Sequence, residues 1–173
     1  LTTSSAASDV YKRQGALAAN GSATTFTSVS STTFGVGTDD IISESSHTFI
    51  AYCFTEKQGY SKFSNYTGNG NANGAFVYTG FKPAFLITKR TDADGEGWLI
   101  HDSKRLGYNA GNSSHYANST ATEASGGYLD LVSTGFKARS TNGVINASGG
   151  TYVYLAFAEN PFVTSTGIPA TAR

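Results

Sequence analysis

Two neighbouring runs of strand-forming residues constrain this chain more than any other feature. Residues 76–90, Phe76-Val77-Tyr78-Thr79-Gly80-Phe81-Lys82-Pro83-Ala84-Phe85-Leu86-Ile87-Thr88-Lys89-Arg90, and residues 97–102, Gly97-Trp98-Leu99-Ile100-His101-Asp102, hold the only Trp and the densest set of aromatic and branched apolar side chains. Such residues fit the pleated, half-buried surface of a strand. Gly80 and Pro83 punctuate the first run, and Asp92-Ala93-Asp94-Gly95 separates it from the second with turn chemistry. The pair reads as the middle of an all-β fold, an antiparallel β-sandwich that is lectin-like or jelly-roll-like. Phe85, Ile87, Trp98, Ile100, Val153, Leu155 and Phe157 are the expected inward residues of its two layers.

A chain of 173 residues makes one ordinary domain or slightly more. The composition favours short strands and turns over helices, because the polar part is mostly Ser, Thr, Asn and Gly and only 14% is charged. Twelve basic and twelve acidic residues cancel, so there is no electrostatic footprint for nucleic acid or an anionic membrane. The longest apolar run, Phe49 to Phe54, is too short to span a bilayer. Cys53, the single Cys, lies within it and reads as a buried small hydrophobe. There is no Met, so the sequence reads as a fragment or a processed piece.

Along the chain, residues 1–14 show no strand or helix period and are expected to be disordered. Asp9-Val10-Tyr11-Lys12-Arg13-Gln14 resembles the translated transposon end used in sequencing libraries, which would make 1–14 an artefact. Thr24–Val29 and Thr33–Val36 read as short strands, and Thr48–Glu56 as a strand covered on both faces, since apolar residues occupy both parities. Gly59–Thr67 is an imperfect strand, and Gly68-Asn69-Gly70-Asn71-Ala72-Asn73-Gly74 is a loop. Residues 103–127 read as a long surface loop with one short element around Ser114–Tyr116. Tyr128–Val132 and Gly135–Arg139 read as strands joined by a Ser133-Thr134 turn, and Asn160-Pro161-Phe162 ends the last strand, Thr151–Glu159.

Thr48–Glu56 has a partner in sequence. Thr151–Glu159 has the same length and pattern, with Thr, Phe and Glu at matching positions, and the stretches preceding each also align. The repeat has domain-like spacing. It divides the chain into 1–14, then 15–57 as the C-terminal half of an incomplete first β repeat, 58–160 as a complete second sandwich, and 161–173 as an extended tail.

Chemistry-bearing clusters are few. Asp92, Asp94 and Glu96 around Gly95 place hard oxygen ligands at alternate positions and are candidate metal ligands, but the distal bidentate Glu of a twelve-residue calcium loop is missing, and a solvated turn is the alternative. His101-Asp102-Ser103 has triad residue types, yet adjacent strand residues point to opposite faces. No Gly-x-Ser-x-Gly elbow is present. Asp102, Asp130 and Glu123 are the carboxylates a glycan-cleaving pair would have to come from. Tyr60, Tyr66, Tyr108 and Tyr116 are candidate glycan contacts. Asn65, Asn112, Asn118 and Asn146 fit the glycosylation acceptor pattern. No catalytic residue and no cofactor is expected.

The residues do carry a resemblance. Phe49-Ile50-Ala51-Tyr52-Cys53-Phe54, Glu56-Lys57-Gln58-Gly59-Tyr60-Ser61-Lys62-Phe63, Tyr66-Thr67-Gly68-Asn69-Gly70, Phe76 to Phe85, Asn146 to Tyr152 and Ala156 to Phe162 resemble a domain of unknown function that recurs in tail and other virion proteins of marine bacteriophages. The resemblance spans about residues 47–173. It implies a non-enzymatic structural module of a tail fibre or tail-associated protein. Its location would be the virion, assembled in the bacterial cytoplasm, and its partners other virion subunits, with a homotrimer as candidate assembly, and a host-surface glycan. A carbohydrate-binding lectin-like module is the alternative, and a glycan-cleaving enzyme the third reading.

Overall fold

The structure, a computed structural model, describes residues 26–38, 43, 45–105, 109 and 113–162. The expectations for residues 1–14, for Tyr108 and for 163–173 lie outside them. Among the described residues, eleven strands form three antiparallel sheets, accompanied by one short helix. The largest has six strands, in the order β3 (Ser61–Thr67), β11 (Thr151–Ala158), β5 (Pro83–Arg90), β6 (Leu99–Asp102), β7 (Ser113–Tyr116) and β8 (Ala124–Ser125). A second sheet orders β4 (Phe76–Tyr78), β10 (Gly135–Ala138) and β9 (Leu129–Val132). The remaining strands, β1 (Phe26–Val29) and β2 (Phe34–Val36), pair only with each other. The helix α1 spans Gly143–Asn146, with the Asn142 side chain accepting from the Val144 N–H as its N-cap.

This is the all-β sandwich expected. β5 and β6 pair as anticipated, with Ile87 opposite Ile100, and β9 and β10 form the predicted hairpin across Ser133-Thr134. Residues 76–90 are not one strand, however. β4 belongs to the small sheet and β5 to the large one, so the chain changes layers through Thr79–Lys82. Gly80, at φ 85°, supplies the left-handed residue that this corner needs. The Thr79 and Gly80 N–H groups both donate to Thr134 O, tying the corner to the β9–β10 turn.

The core lies between the two larger sheets. Leu86, Leu99, Tyr66, Tyr152, Tyr154 and Ala156 of the six-stranded sheet meet Val77, Leu129, Leu131 and Phe136 of the three-stranded one, with Val144 and Ile145 of α1 closing one end. Phe136 packs edge-on to Tyr154 and Tyr66, at 5.3 and 5.6 Å between centroids. These contacts correct the expected inner set. Phe85, Ile87, Ile100, Val153, Leu155 and Phe157 are half-buried on the opposite face, and of the set named only Trp98 is fully buried. β5 and β11 carry apolar residues at both parities, so period-two alternation could not choose a face; a one-residue change of parity exchanges the whole set.

A second correction concerns Thr48–Glu56. These residues form no strand, and Phe49, Ile50, Tyr52 and Phe54 are 46%, 77%, 71% and 58% exposed. Cys53 is exposed rather than buried. Apolar residues at both parities become buried only where a sheet has a slot for them, and the slot between β3 and β5 is filled by β11. The segment meets the sheet only at its end: Phe54 lies 5.8 Å from Phe157 and 6.1 Å from Phe63, Thr55 O accepts from Ser61 Oγ, and Glu56 pairs with Lys62.

Candidate functional site

Strand register gathers the polar loops at one end of the sandwich. Thr151 lies opposite Thr67, Tyr152 opposite Arg90 and Leu99 opposite Tyr116, so the loops following β3, β5 and β7 and the segment before β11 share that end. At its centre is Asn146, fully buried at the last position of α1. Its Oδ1 accepts from the Asn69 N–H at 2.9 Å, and its Nδ2 donates toward Asn69 Oδ1, Asn71 O and Ser140 O at 3.0, 2.8 and 2.9 Å. The loop continues the pattern, with the Asn71 N–H on Asn69 Oδ1 and the Asn73 N–H on Asn71 Oδ1. A Gly- and Asn-rich loop is thus fixed by side-chain amides standing in for a backbone ladder. Asn146 is therefore closed to glycosylation, and Asn118 is occupied in part by its Oδ1 accepting from the Trp98 N–H.

The candidate metal ligands stand on the same end. Arg90 Nε bonds Asp92 Oδ1 at 2.8 Å, and Arg90 Nη1 lies 3.7 Å from Glu96 Oε1. The Asp92–Arg90 hydrogen bond holds the Asp92 carboxyl below its ordinary range. A guanidinium thus stands where a cation would, and among the described residues no three His, Cys, Asp or Glu side chains converge on a metal position.

The carboxylates proposed for glycan cleavage are engaged in the same way. Arg105 Nε bonds Asp102 Oδ2 at 2.6 Å and Nη1 lies 3.4 Å from Glu123 Oε2, so one arginine takes both. Asp130 Oδ2 bonds Arg139 Nε at 3.0 Å on the other sheet. These are ion pairs at a partly wet surface.

The tyrosines separate clearly. Tyr66 is a core residue and is corrected as a glycan contact: its ring stacks on Tyr152 and its hydroxyl donates to Ile145 O at 2.8 Å. Tyr116 is half-buried against the core and beside Tyr128. Tyr60 sits edge-on to Phe157 at 6.4 Å and, with Cys53, Phe54, Lys57 and Ser61, lines a hollow of about 330 Å³.

The burial of two titratable groups has no counterpart in the sequence reading. Lys89 is 1% exposed with Nζ on Arg90 O. His101 is 1% exposed, and neither ring nitrogen finds a hydrogen-bond partner among the described residues. Burial first, then Arg105, pushes the His101 pKa down to about 4, against a smaller opposing pull from Asp102. His101 follows from strand parity, since it alternates with Ile100 and shares a face with Leu99 and Leu86.

The molecule is thus a two-layer antiparallel β-sandwich in which Asp92, Glu96, Asp102, Glu123 and Asp130 pair with arginines. The chain belongs to the family described as Domain of unknown function (DUF7483), whose model matches residues 5–161. No curated protein and no solved structure matches it.

Proposed function

We propose that the chain is a non-enzymatic structural module of a bacteriophage virion, in a tail fibre or tail-associated protein, that meets other virion subunits and the host surface. The observation that carries this reading is the placement of apolar surface. Phe49, Ile50, Tyr52 and Phe54 stand in solvent, and Phe76 and Tyr78 project from β4 at the edge of the small sheet. Each is a group of exposed apolar side chains, and such groups mark surfaces to be covered in an assembly. The resemblance of Phe76 to Phe85 and of Ala156 to Phe162 to a domain that recurs in marine phage virion proteins points the same way. So does the engagement of Asp102 and Glu123 by Arg105 and of Asp130 by Arg139.

The lectin-like alternative rests on Tyr60 beside its hollow, because Tyr66 lies in the core and Tyr116 packs against it. Peptide mass spectrometry on gradient-purified phage particles tests the virion reading. Peptides from residues 63–89 are expected in the particle fraction at stoichiometry comparable with other tail subunits. Their restriction to host cells or vesicles would refute it, and binding on a glycan array that is lost in Tyr60→Ala would favour the lectin reading.

A further inference from the structure

Residues 26–56 repeat residues 129–159 in sequence, and at their start a β-hairpin stands in each copy. Val29 and Val132, Ile42 and Ile145, Thr48 and Thr151, Phe54 and Phe157, and Glu56 and Glu159 all stand at one separation, 103 residues. β1 and β2 form an antiparallel hairpin that brings Val29 opposite Phe34, and β9 and β10 form one that brings Leu131 opposite Phe136 and Val132 opposite Gly135. In each copy the hairpin is followed by the apolar nine-residue run, 12 residues after Val36 in the first and 13 after Ala138 in the second. There the copies part. β11 is held along its length between β3 and β5, whereas Thr48–Glu56 has no ladder.

We propose that residues 26–56 are the closing half of a further unit of this same sandwich, and that Thr48–Glu56 is the strand inserted between that unit's counterparts of β3 and β5. The partner is a polypeptide of the same fold, carried ahead of residue 26 in a tandem array. The side chains suit the slot. Phe49, Ala51 and Cys53 fall where β11 presents Tyr152, Tyr154 and Ala156 to the core, and Ile50, Tyr52 and Phe54 fall where β11 presents Val153, Leu155 and Phe157 to the other face. The connection suits an array too. Glu56 leads through a tight turn, with the Tyr60 N–H on Lys57 O, into β3, and the exit of β11 lies against that entry, the Ala158 N–H donating to Tyr60 O and the Phe162 N–H to Gly59 O. Units can therefore follow one another without change to the fold. This does not rest on the virion reading: it assigns Phe49–Phe54 to the preceding unit and leaves Phe76 and Tyr78 as the apolar surface of that reading.

The test builds the missing partner from the chain's own sequence. Residues 58–128 are fused ahead of residues 26–173, so that the added half precedes β1 as 58–128 precedes β9. In the full chain of 173 residues, Cys53 reacts fully with a thiol reagent under native conditions, and amides 49–55 exchange freely while those of 152–158 are protected. In the fused chain, Cys53 labelling falls at least 100-fold and exchange at 49–55 slows toward that of 152–158. Ala51→Asp in the fused chain restores both signals at 49–55 and leaves 152–158 protected, which separates loss of the inserted strand from general unfolding. The proposal is overturned if the fused chain keeps 152–158 protected with Cys53 still freely reactive, or if the added half stays unfolded and exchanges as a random chain.

Discussion

Tyr66 and Tyr152 lie opposite each other on adjacent strands with their rings stacked 4.8 Å apart at 11°, and each uses its hydroxyl to hold the α1 turn. Tyr66 donates to Ile145 O at 2.8 Å; Tyr152 donates to Gly143 O and accepts from the Ala147 N–H, both at 2.7 Å. The cross-strand pair thus fixes a helix too short to persist alone. Tyr152→Phe strips two backbone groups of their partner and is expected to cost about 1–3 kcal/mol, against about 1 kcal/mol for Tyr66→Phe. Urea denaturation at pH 7 checks the order. Burial raises both phenol pKa values, so the folded state disfavours the phenolates; stability is complete below the ordinary tyrosine value and declines as pH rises above about 10.

Asn146 makes a sharper demand. Asn146→Asp places an oxygen where Nδ2 faced three acceptors, in a site with no solvent exposure, and leaves a buried charge with the Asn69 N–H on its other oxygen but no countercharge. A loss of roughly 3–5 kcal/mol is expected, the range for an uncompensated buried charge. Asn146→Ala, which removes bonds without adding repulsion, should cost less. Amide exchange at Asn69, Asn71 and Asn73 should accelerate in both variants, because their ladder is anchored on this side chain.

The neutral His101 makes acid stability predictable. Its pKa is depressed in the fold to about 4 from 6.5, so the unfolded chain binds the proton first. Stability is fully present above pH 6.5 and falls as pH drops toward 4, by roughly 3 kcal/mol at about 1.4 kcal/mol per pKa unit. Asp92 and Glu159, held low by Arg90 and Lys82, add their losses only below the ordinary carboxylate range. His101→Leu removes two unpartnered nitrogens and should flatten the curve between pH 6.5 and 4 while leaving stability at pH 7 equal or higher. Unfolding midpoints measured across that window decide it; an unchanged slope in His101→Leu would assign the acid sensitivity elsewhere.

These residues also mark how far the sequence could be read. Strand positions and the two hairpins followed from local chemistry, since turn residues and branched or aromatic runs act over a few positions. The choice of face did not. β5 and β11 are apolar on both sides, and only the position of Phe136 and Leu131 on the second sheet makes Leu86, Tyr152 and Tyr154 the inner set. The Asn146 network was illegible for a similar reason. Asn69 and Asn146 are far apart in sequence, and an Asn-Ala-Ser-Gly-Gly run reads as a turn whether or not its first side chain is buried. Thr48–Glu56 misled because its pattern is that of an inserted strand, while insertion depends on neighbours that the pattern does not encode.

The close approach of β10 to β4 gives a last expectation. A Cβ on Gly135 would lie 2.0 Å from Val77 O and 3.0 Å from Val77 C, atoms of a paired backbone that cannot rotate away. Gly135→Ala must push β4 off β10, disturbing the corner at Thr79 and Gly80 that bonds Thr134 and the Val77–Phe136 pair beneath it. The overpacking range of about 1–3 kcal/mol is a lower bound where backbone is the obstacle. Gly95→Ala is the control: its φ of 78° carries a left-handed cost of about 1–2 kcal/mol, but a Cβ there meets nothing within 4 Å. Gly135→Ala is therefore expected to lower the denaturation midpoint more than Gly95→Ala and to speed exchange at Thr79 and Gly80. Equal midpoints for the two variants would mean that the β4–β10 spacing can relax without cost.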